Sequence, residues 1–321
     1  MEQPIEEYRW VSAVVTARGY PAEVYSGYLA ADKNLLAALP KTGVMNDGWH
    51  ESGTSLLSGG VGIPSELSIT WLSYVEKKFW KLNTELNAGW IERLFSRPYV
   101  NFSSTNEALP PETYNRIIVA VAPGGAVSVF LRGSLRCVEV GHYQAVETFV
   151  AVNDFYDNPF RDTQQQFLDR WYDHVVPIET KDYLKNHTII PYAHWSLFRK
   201  MYNWRFVLQF YKMDKENQRH CLYLNGEEEQ ILSTALNGFA VRPLPWKVDF
   251  AFTKIKRWVD AEFDATELLE VFHEIDKQRP GHLPIEIVGD HHMKFNIHYE
   301  EKVFPLTKVK IGLWLINRFR Q

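Results

Sequence analysis

Short stretches in which apolar and polar residues alternate recur along the whole chain, and a period of two indicates β-strands. In the first part of the chain such stretches cover 8–17, 22–31, 66–74 and 77–86. Turn residues at 19–21 separate the first two stretches and predict that they form a hairpin. The beginning of the chain is therefore predicted to be rich in strands.

The clearest hairpin signal lies at 116–132, where two apolar runs flank a Pro-Gly-Gly turn at 123–125. A last strand of this half is predicted over 135–151. Glycines and prolines are frequent in 32–64, which predicts a long loop. Loops of that length are uncommon in compact domains and often carry function.

Helical periodicity is found in only a few places. Asn87 has the side chain of a helix N-cap and precedes an apolar stripe over 88–96. The segment 153–202 is polar with spaced aromatic residues, which predicts helices at about 162–175 and 192–201. We interpret this segment as a connector between two halves.

The second half of the chain repeats the order of strands, turns and helix found in the first. Three residue pairs mark the correspondence: Trp10 with Trp204, Trp80 with Trp258, and Asn87 with Asp264. Glu267 follows Asp264 at capping-box spacing. An apolar stripe comes next and needs a sheet as its burial partner: Leu268, Val271, Phe272 and Ile275.

The predicted fold class is α+β, with two tandem, pseudo-twofold-related lobes of mostly antiparallel sheet, each with one packed helix. The N-terminal lobe is predicted over 1–152, the helical connector over 153–202, and the C-terminal lobe over 203–321 as an internal repeat. The alternative is that antiparallel β proteins share this order without duplication. The matched tryptophans and helix caps favour the duplication, and we expect those tryptophans in the core.

Composition narrows the functional classes. A formal net charge of -4 over 321 residues gives no positive field for nucleic acid or an anionic membrane. No apolar run reaches the roughly 20 residues that span a bilayer. The start has no signal-peptide pattern, so the sequence as written predicts a cytoplasmic protein; a periplasmic location follows if a signal segment was removed. Cys137 and Cys221 are expected as two buried thiols rather than a bridge.

Candidate chemistry is sparse. Asp290 and His291 belong to a polar cluster at a predicted hairpin turn, where an exposed turn competes with a metal-binding or toxin-contacting site. His220 and Cys221 are neighbours on a predicted strand, so their side chains diverge and do not form a nucleophile–base pair. We predict no catalytic site, no metal and no cofactor, and hence a protein that is not an enzyme.

Two further segments offer binding surfaces. The long loop contains a tryptophan among polar residues, and we expect it to fold back onto the core; the alternative is an exposed position, in which it would anchor an interface. An acidic run in the second half is either a solvated turn or a surface for a basic partner. The candidate toxin-binding residues are Asn46, Asp47, Trp49, His50, Glu51, Glu227, Glu228, Glu229, Asp290 and His291.

Four stretches resemble the bacterial proteins grouped as domain of unknown function 2931: GYPAEVYSGYL, PSELSITWLSYVEKKFWKL, YNRIIVAVAPGGAVSVFLRG and HWSLFRKMYNWRF. The resemblance extends from about residue 8 to beyond Trp246. It implies a lipoprotein-like protein found near type VI secretion effectors, especially phospholipase-like toxins, and thus a role in immunity. This sequence shows no lipid-attachment Cys near its start. The resemblance carries no catalytic motif.

The expected function is that of an immunity protein that binds and neutralises a cognate secreted toxin by blocking its active site or its opening. The alternative is a non-catalytic structural or adaptor component of a secretion or envelope complex. The expected partner is a toxin or effector protein, without nucleic acid and without a membrane span. The sequence leaves the oligomeric state open.

Overall fold

A computed structural model of the chain describes residues 8–51, 53–55, 59–103, 107–187, 192–209, 216–232, 238–252, 257–278, 283–288 and 294–315. The chain divides into two compact units. The first unit comprises 1–99 and 112–195, and the second comprises 100–111 and 196–321. The predicted mixture of α-helices and mostly antiparallel sheets is confirmed.

The first unit contains two sheets. Its strands are β1 (Arg9–Thr16), β2 (Ala22–Ala31), β3 (Asn34–Ala38), β4 (Thr54–Ser55), β5 (Gly60–Val61), β6 (Glu66–Ser73), β7 (Lys78–Glu85), β8 (Arg116–Ala122), β9 (Ala126–Arg132), β10 (Cys137–Gln144) and β11 (Val146–Thr148). In the first sheet β1 pairs in parallel with β8, β8 with β9 and β9 with β10, while β4 and β5 pair with β1. The second sheet has the order β11-β7-β6-β2-β3.

The core of the first unit lies between these sheets. Val14 and Val119 of the first sheet share a buried cluster with Ile69 and Trp71 of the second. Helix α1 (Ala88–Phe95) adds Ile91 and Phe95 to the same cluster. Because each strand alternates its side chains between two faces, one face of each sheet fills this core.

The predicted helix cap and the predicted hairpin of this unit are both confirmed. The Asn87 side chain accepts a hydrogen bond of 3.0 Å from the Trp90 N–H at the start of α1. Strands β8 and β9 flank a 3₁₀ turn at Pro123–Gly125. Gly125 has a φ of 72°, and a Cβ there would meet the Trp80 ring at 2.7 Å, so the turn requires glycine.

The segment predicted as a connector contributes helices to the first unit. They are α2 (Val152–Phe155), α3 (Gln164–Val175) and α4 (Ile178–Asn186). Phe167 and Leu168 of α3 pack against Leu72 and Phe79, which lie on the face of the second sheet that points away from the core. Helix α5 (Tyr192–Leu197) follows at the end of the unit. The helices predicted at 162–175 and 192–201 are confirmed, with shorter bounds, whereas α2 and α4 were not predicted.

The second unit also contains two sheets. Its strands are β12 (Tyr202–Gln209), β13 (Glu216–Tyr223), β14 (Glu228–Leu232), β15 (Ala240–Arg242), β16 (Pro245–Phe252), β17 (Arg257–Glu262), β18 (Leu283–Val288), β19 (Lys294–Tyr299), β20 (Lys302–Leu306) and β21 (Lys310–Leu315). One sheet has the order β15-β12-β18-β19-β20, with β12 and β18 parallel. The other contains β21-β17-β16-β13-β14 in neighbouring positions.

The strand orders of the two units correspond, with the single strand β15 beside β12 where both β4 and β5 pair with β1. The order β11-β7-β6-β2-β3 matches β21-β17-β16-β13-β14, and the parallel pair β1–β8 matches β12–β18. Helix α6 (Ala265–Gln278) follows β17 as α1 follows β7, and its Leu268, Phe272 and Ile275 are buried. Shared topology is what an internal repeat requires.

The capping pair predicted for α6 is half correct. Asp264 accepts a 2.8 Å hydrogen bond from the Glu267 N–H, as a cap should. The Glu267 carboxylate, however, accepts hydrogen bonds from the Thr307 N–H at 2.8 Å and the Lys308 N–H at 3.0 Å. Because these two N–H groups directly follow β20, the Glu267 carboxylate binds the end of that strand instead of the first turn of α6.

Three predicted connections are wrong. Strands β1 and β2 do not form a hairpin, because they lie in different sheets. The predicted loop 32–64 contains β3, β4 and β5, two of which pair with β1. The predicted strand 135–151 is two strands, β10 and β11, which leave one sheet and enter the other at Ala145. Strand β3 forms a short hairpin with β2, but the partners of β1, β4, β5 and β11 are distant in sequence, and local patterns do not reveal them.

Candidate functional site

The predicted binding loop is ordered against the first unit. Asn46 is exposed and accepts a 2.7 Å hydrogen bond from the Gly19 N–H. Glu51 is exposed and lies 3.6 Å from the Arg18 guanidinium. Asp47 is exposed, and His50 is half-buried. The polar residues of the loop therefore form a surface.

Trp49 does not belong to that surface. Its side chain is only 5% exposed, its ring lies 5.2 Å from the Trp195 ring, and its Nε1–H donates to the Val121 carbonyl at 3.4 Å. The expectation that Trp49 folds onto the core is confirmed, and its place among the toxin-binding candidates is wrong. A large aromatic ring with a satisfied N–H gains more by burial here than by exposure.

The acidic run does not form a solvated turn at its centre. Glu228 is 4% exposed and begins strand β14, so the prediction of an exposed surface carboxylate is wrong for this residue. Glu227 and Glu229 are half-buried, and Glu229 accepts a hydrogen bond from the Tyr223 hydroxyl. Asp290 and His291, the remaining candidates, lie outside the described residues.

The matching strand orders identify equivalent rows on the outer faces of two sheets. One is the sheet β11-β7-β6-β2-β3 of the first unit, and the other contains β21-β17-β16-β13-β14 of the second. In the first unit Tyr28, Ser68 and Asn83 are direct cross-strand neighbours. In the second unit the neighbours are His220, Asp249 and Asp260, again one from each strand. Patterns within single strands do not predict such a row, because its members come from three strands.

Two backbone hydrogen bonds fix the equivalence. The Leu86 N–H donates to the Ser65 carbonyl at 2.8 Å, and the Phe263 N–H donates to the Trp246 carbonyl at 2.8 Å. Each pair closes the same corner, one residue before the cap of the helix. Asn83 and Ser68 lie three residues inside their strands from Leu86 and Ser65. Asp260 and Asp249 lie three residues inside theirs from Phe263 and Trp246, so the two rows are equivalent.

The outer face in the first unit is open. Tyr28 is 43% exposed, and Ser68 donates a 2.7 Å hydrogen bond to the Asn83 side chain. The helices cover only the far end of this face, at Leu72 and Phe79. The uncovered end borders a cavity of about 630 Å³, lined by Tyr28, Asp32, Ser65, Glu66, Leu67, Ser68, Asn83, Thr84, Glu85 and Leu86.

This cavity is acidic. Its lining includes three carboxylates and no Lys, Arg or His side chain. Glu66 and Glu85 are direct cross-strand neighbours, an arrangement of like charges that destabilises a sheet. Lys81 lies two residues from Asn83 on the same face, outside the cavity lining. The open face therefore combines an exposed tyrosine with a negative groove.

The equivalent face in the second unit is filled by its own charges. His220 Nε2 lies 2.6 Å from a Glu228 carboxylate oxygen, and His220 Nδ1 lies 3.5 Å from Asp249. Lys247 lies 3.8 Å from Asp249 and 3.6 Å from Asp260. The side chains of Glu228, Asp249 and His220 are 4%, 14% and 19% exposed.

Burial alone would lower the pKa of His220, because it penalises the charged ring. The hydrogen bonds and negative charges of Asp249 and Glu228 outweigh that cost and raise the pKa to about 9. His220 is therefore an imidazolium at neutral pH. It neutralises a carboxylate that would otherwise be buried without a counter-charge.

The short segment 100–111 also reaches this face. Gln230 is the cross-strand neighbour of His220, so their side chains lie on the same side of the sheet. The Gln230 amide accepts a 2.7 Å hydrogen bond from the Phe102 N–H and donates a 2.8 Å bond to the Phe102 carbonyl. The Gln230 side chain thus hydrogen-bonds both main-chain groups of Phe102, as the backbone of a neighbouring strand would.

Other groups with reactive side chains do not assemble into a site among the residues described. His220 lies on the outer face, whereas Cys221 is in the core, as predicted from strand geometry. Cys137 and Cys221 are both buried free thiols, also as predicted. Ser128 lies 3.0 Å from His142, but its side chain is fully buried.

No group of His, Cys, Asp or Glu side chains in the described part of the chain is placed to hold a metal ion. The helices within the same described ranges are too short or too polar to cross a membrane.

Comparison with known proteins gives one match. The family described as "Protein of unknown function (DUF2931)" matches residues 1–192. This range contains the first unit except for its last three residues, 193–195. No curated protein and no solved structure matches the chain. The match covers more than half of the 321 residues, and the chain belongs to the DUF2931 family.

Proposed function

We propose that this protein is an immunity protein that binds and neutralises a cognate secreted bacterial toxin. The toxin is of the lipase-like class delivered by type VI secretion, and binding blocks its active site or its opening. The single observation that carries the proposal is the open acidic face of the first unit, around Tyr28, Glu66 and Glu85. The resemblance to proteins found beside such effectors supplies the class of partner.

A blocking protein needs a rigid platform. The outer residues Ser68 and Thr70 alternate with the core residues Leu67, Ile69 and Trp71, all of which are at most 1% exposed. Side chains on such a strand lose little further freedom on binding, so association costs less conformational entropy. The face is therefore pre-organised for a partner.

The chemistry of the face favours a protein partner. Tyr28 offers a rigid amphipathic ring, and tyrosine is one of the residues that dominate binding energy at interfaces. Carboxylates around it would steer a partner that carries a basic surface and would speed association at low ionic strength. The exposed loop residues Asn46, Asp47 and Glu51 follow Met45, which bridges Ala22 at the helix-covered end of the sheet, so they remain candidates for a separate contact.

The test is calorimetry of the full chain with the effector encoded next to it. We expect a stoichiometric complex and loss of toxin activity in it. Tyr28→Ala should weaken affinity about 30-fold, the effect of removing an interface hot spot worth about 2 kcal/mol. Tyr183→Ala is the matched control, since Tyr183 is 44% exposed on α4, close to the 43% of Tyr28.

Absence of any complex with the effector would contradict the proposal. The alternative, an adaptor in a secretion or envelope complex, predicts a different outcome in cells. Deleting the gene would then impair secretion, whereas loss of an immunity protein would kill the producing cell only when the active toxin is present.

A further inference from the structure

The face that is open in the first unit has an occupant in the second. Segment 100–111 folds back on itself, with the Leu109 N–H donating to the Asn101 carbonyl at 2.8 Å and the Ser103 N–H donating to the Glu107 carbonyl at 2.8 Å. Gln230 holds its main chain at Phe102 through two hydrogen bonds. The main chain of a folded-back segment is thus an element that a side chain of this sheet face binds.

The equivalent position in the first unit lacks such an amide. Ala38 is the cross-strand neighbour of Tyr28, as Gln230 is of His220, and Ala38 is exposed. Capture of an extended segment at the first-unit face must therefore depend on other groups. The groups available there are the Tyr28 ring, the hydroxyl and amide side chains that include Ser68 and Asn83, and the carboxylates.

The pairing of charges differs between the two faces. Lys247 and Glu262 are direct cross-strand neighbours in the second unit, so a cation lies opposite an anion, although Lys247 pairs with Asp249 and Asp260. Glu66 and Glu85 occupy the equivalent positions in the first unit, where like charges meet. Opposed like charges cost stability, and none of the cavity-lining residues is cationic. A cation supplied from outside would relieve this repulsion.

We propose that the open face of the first unit docks an extended segment of the partner protein, with a Lys or Arg side chain seated between Glu66 and Glu85. This inference rests on the proposed function and names the chemistry of its contact. Cross-strand neighbours have Cβ atoms about 5 Å apart, a separation that lets one cationic head group reach both carboxylates. The segment's main chain then crosses the Tyr28 ring.

The occupant is a partner and not segment 100–111 of a second copy. That segment, VNFSSTNEALPP, contains Glu107 and no Lys or Arg. It would bring a further negative charge to a negative groove. Charge complementarity therefore selects a basic segment from another protein.

A charge reversal copied from the second unit tests this inference. In Glu66→Lys the first unit acquires the Lys–Glu pair found at Lys247 and Glu262. We expect the full chain to remain as thermally stable as the parent or more so, because the repulsion with Glu85 is replaced by attraction. A fluorescent ten-residue peptide of alternating lysine and threonine, which puts its lysines on one side when extended, should bind the parent.

Peptide affinity measured by anisotropy should fall at least about tenfold in Glu66→Lys, since an attractive site becomes repulsive. Glu92→Lys, at an exposed position on α1, changes net charge equally and should leave affinity within about twofold. A glutamate–threonine peptide should not bind.

Three results would overturn the inference. They are equal peptide binding by Glu66→Lys and the parent, equal loss in Glu92→Lys, and binding of spermidine as tight as that of the peptide, which would indicate a site for small cations. The proposed function is judged separately with the effector. If the effector binds Glu66→Lys and the parent equally, the protein still neutralises a toxin, but through another surface.

Discussion

The two units carry equivalent rows of three residues on the outer face of equivalent sheets. The row of the first unit is Tyr28, Ser68 and Asn83, and that of the second is His220, Asp249 and Asp260. The first row is neutral, open to solvent and bordered by carboxylates. The second row is charged, and its imidazolium is enclosed by Glu228 and Asp249. One scaffold thus supports two different uses of the same face.

The two faces differ in the source of their counter-charges. In the second unit both carboxylates of the row, Asp249 and Asp260, lie within 4 Å of a cation from the same unit, His220 or Lys247. In the first unit Glu66 and Glu85 oppose each other. The charges of the second-unit face are paired within the unit and stabilise its fold. The like charges of the first-unit face are not, and a cationic partner can bind there.

The largest expected effect comes from Glu228→Ala. Truncation leaves the His220 imidazolium, which is 19% exposed, without its closest counter-charge. Breaking a buried ion pair from one side costs about 3–5 kcal/mol in the free energy of unfolding. Denaturant titration followed by tryptophan fluorescence measures this loss.

Leu35→Ala is the matched control for that variant. Leu35 faces Ala30 as Glu228 faces Leu222, so the two residues have equivalent cross-strand partners, but Leu35 is 66% exposed. Its truncation should cost less than about 0.5 kcal/mol. Equal losses in the two variants would show that the faces do not differ as described.

The next effect is a pH dependence that belongs to the second unit. The pKa of folded His220 is about 9, above its ordinary value of 6.5. Its contribution to stability is therefore complete below about pH 6.5 and is lost as the pH rises through 9. The shift corresponds to about 3 kcal/mol.

Calorimetry from pH 6 to pH 10 measures this loss, with His220→Gln as the control. The variant should be less stable at pH 6 and should lack the part of the pH dependence assigned to the imidazolium. If parent and variant lose stability in parallel between pH 6.5 and 9, His220 is not the titrating group.

A smaller effect is expected for Gln230→Ala. Two hydrogen bonds to the Phe102 main chain are lost, each contributing about 1 kcal/mol. Hydrogen exchange at the Phe102 amide should accelerate about tenfold or more, because segment 100–111 detaches locally. Gln230→Glu keeps the acceptor and loses the donor, so its exchange rate should fall between those of the parent and the alanine variant.

Several features of the fold follow from local patterns in the sequence. The β8–β9 hairpin was predicted from its Pro-Gly-Gly turn, and the start of α1 from Asn87. The stripe of α6 was predicted from its spacing, and Leu268, Phe272 and Ile275 are indeed buried. Each of these signals is contained within about 15 residues.

Features that depend on distant pairing were missed. Strand β1 pairs in parallel with β8, about a hundred residues later, so the turn at 19–21 suggested the wrong partner. Glu228 is one of three consecutive glutamates, which the sequence predicts to be exposed. It contacts His220 because of the β13–β14 register, which the local sequence does not reveal. The outer row of the first unit was missed for the same reason, since Tyr28, Ser68 and Asn83 come from three separate strands.

The central claim is that the face open to partners is in the first unit and that its counterpart in the second is closed. Hydrogen-exchange mass spectrometry of the full chain, free and bound to the neighbouring effector, tests it most directly. We expect slower exchange on binding in 28–38, 66–70 and 81–86, and unchanged exchange in 216–223 and 247–252. Protection confined to the second-unit segments, with none in the first-unit segments, would contradict the claim.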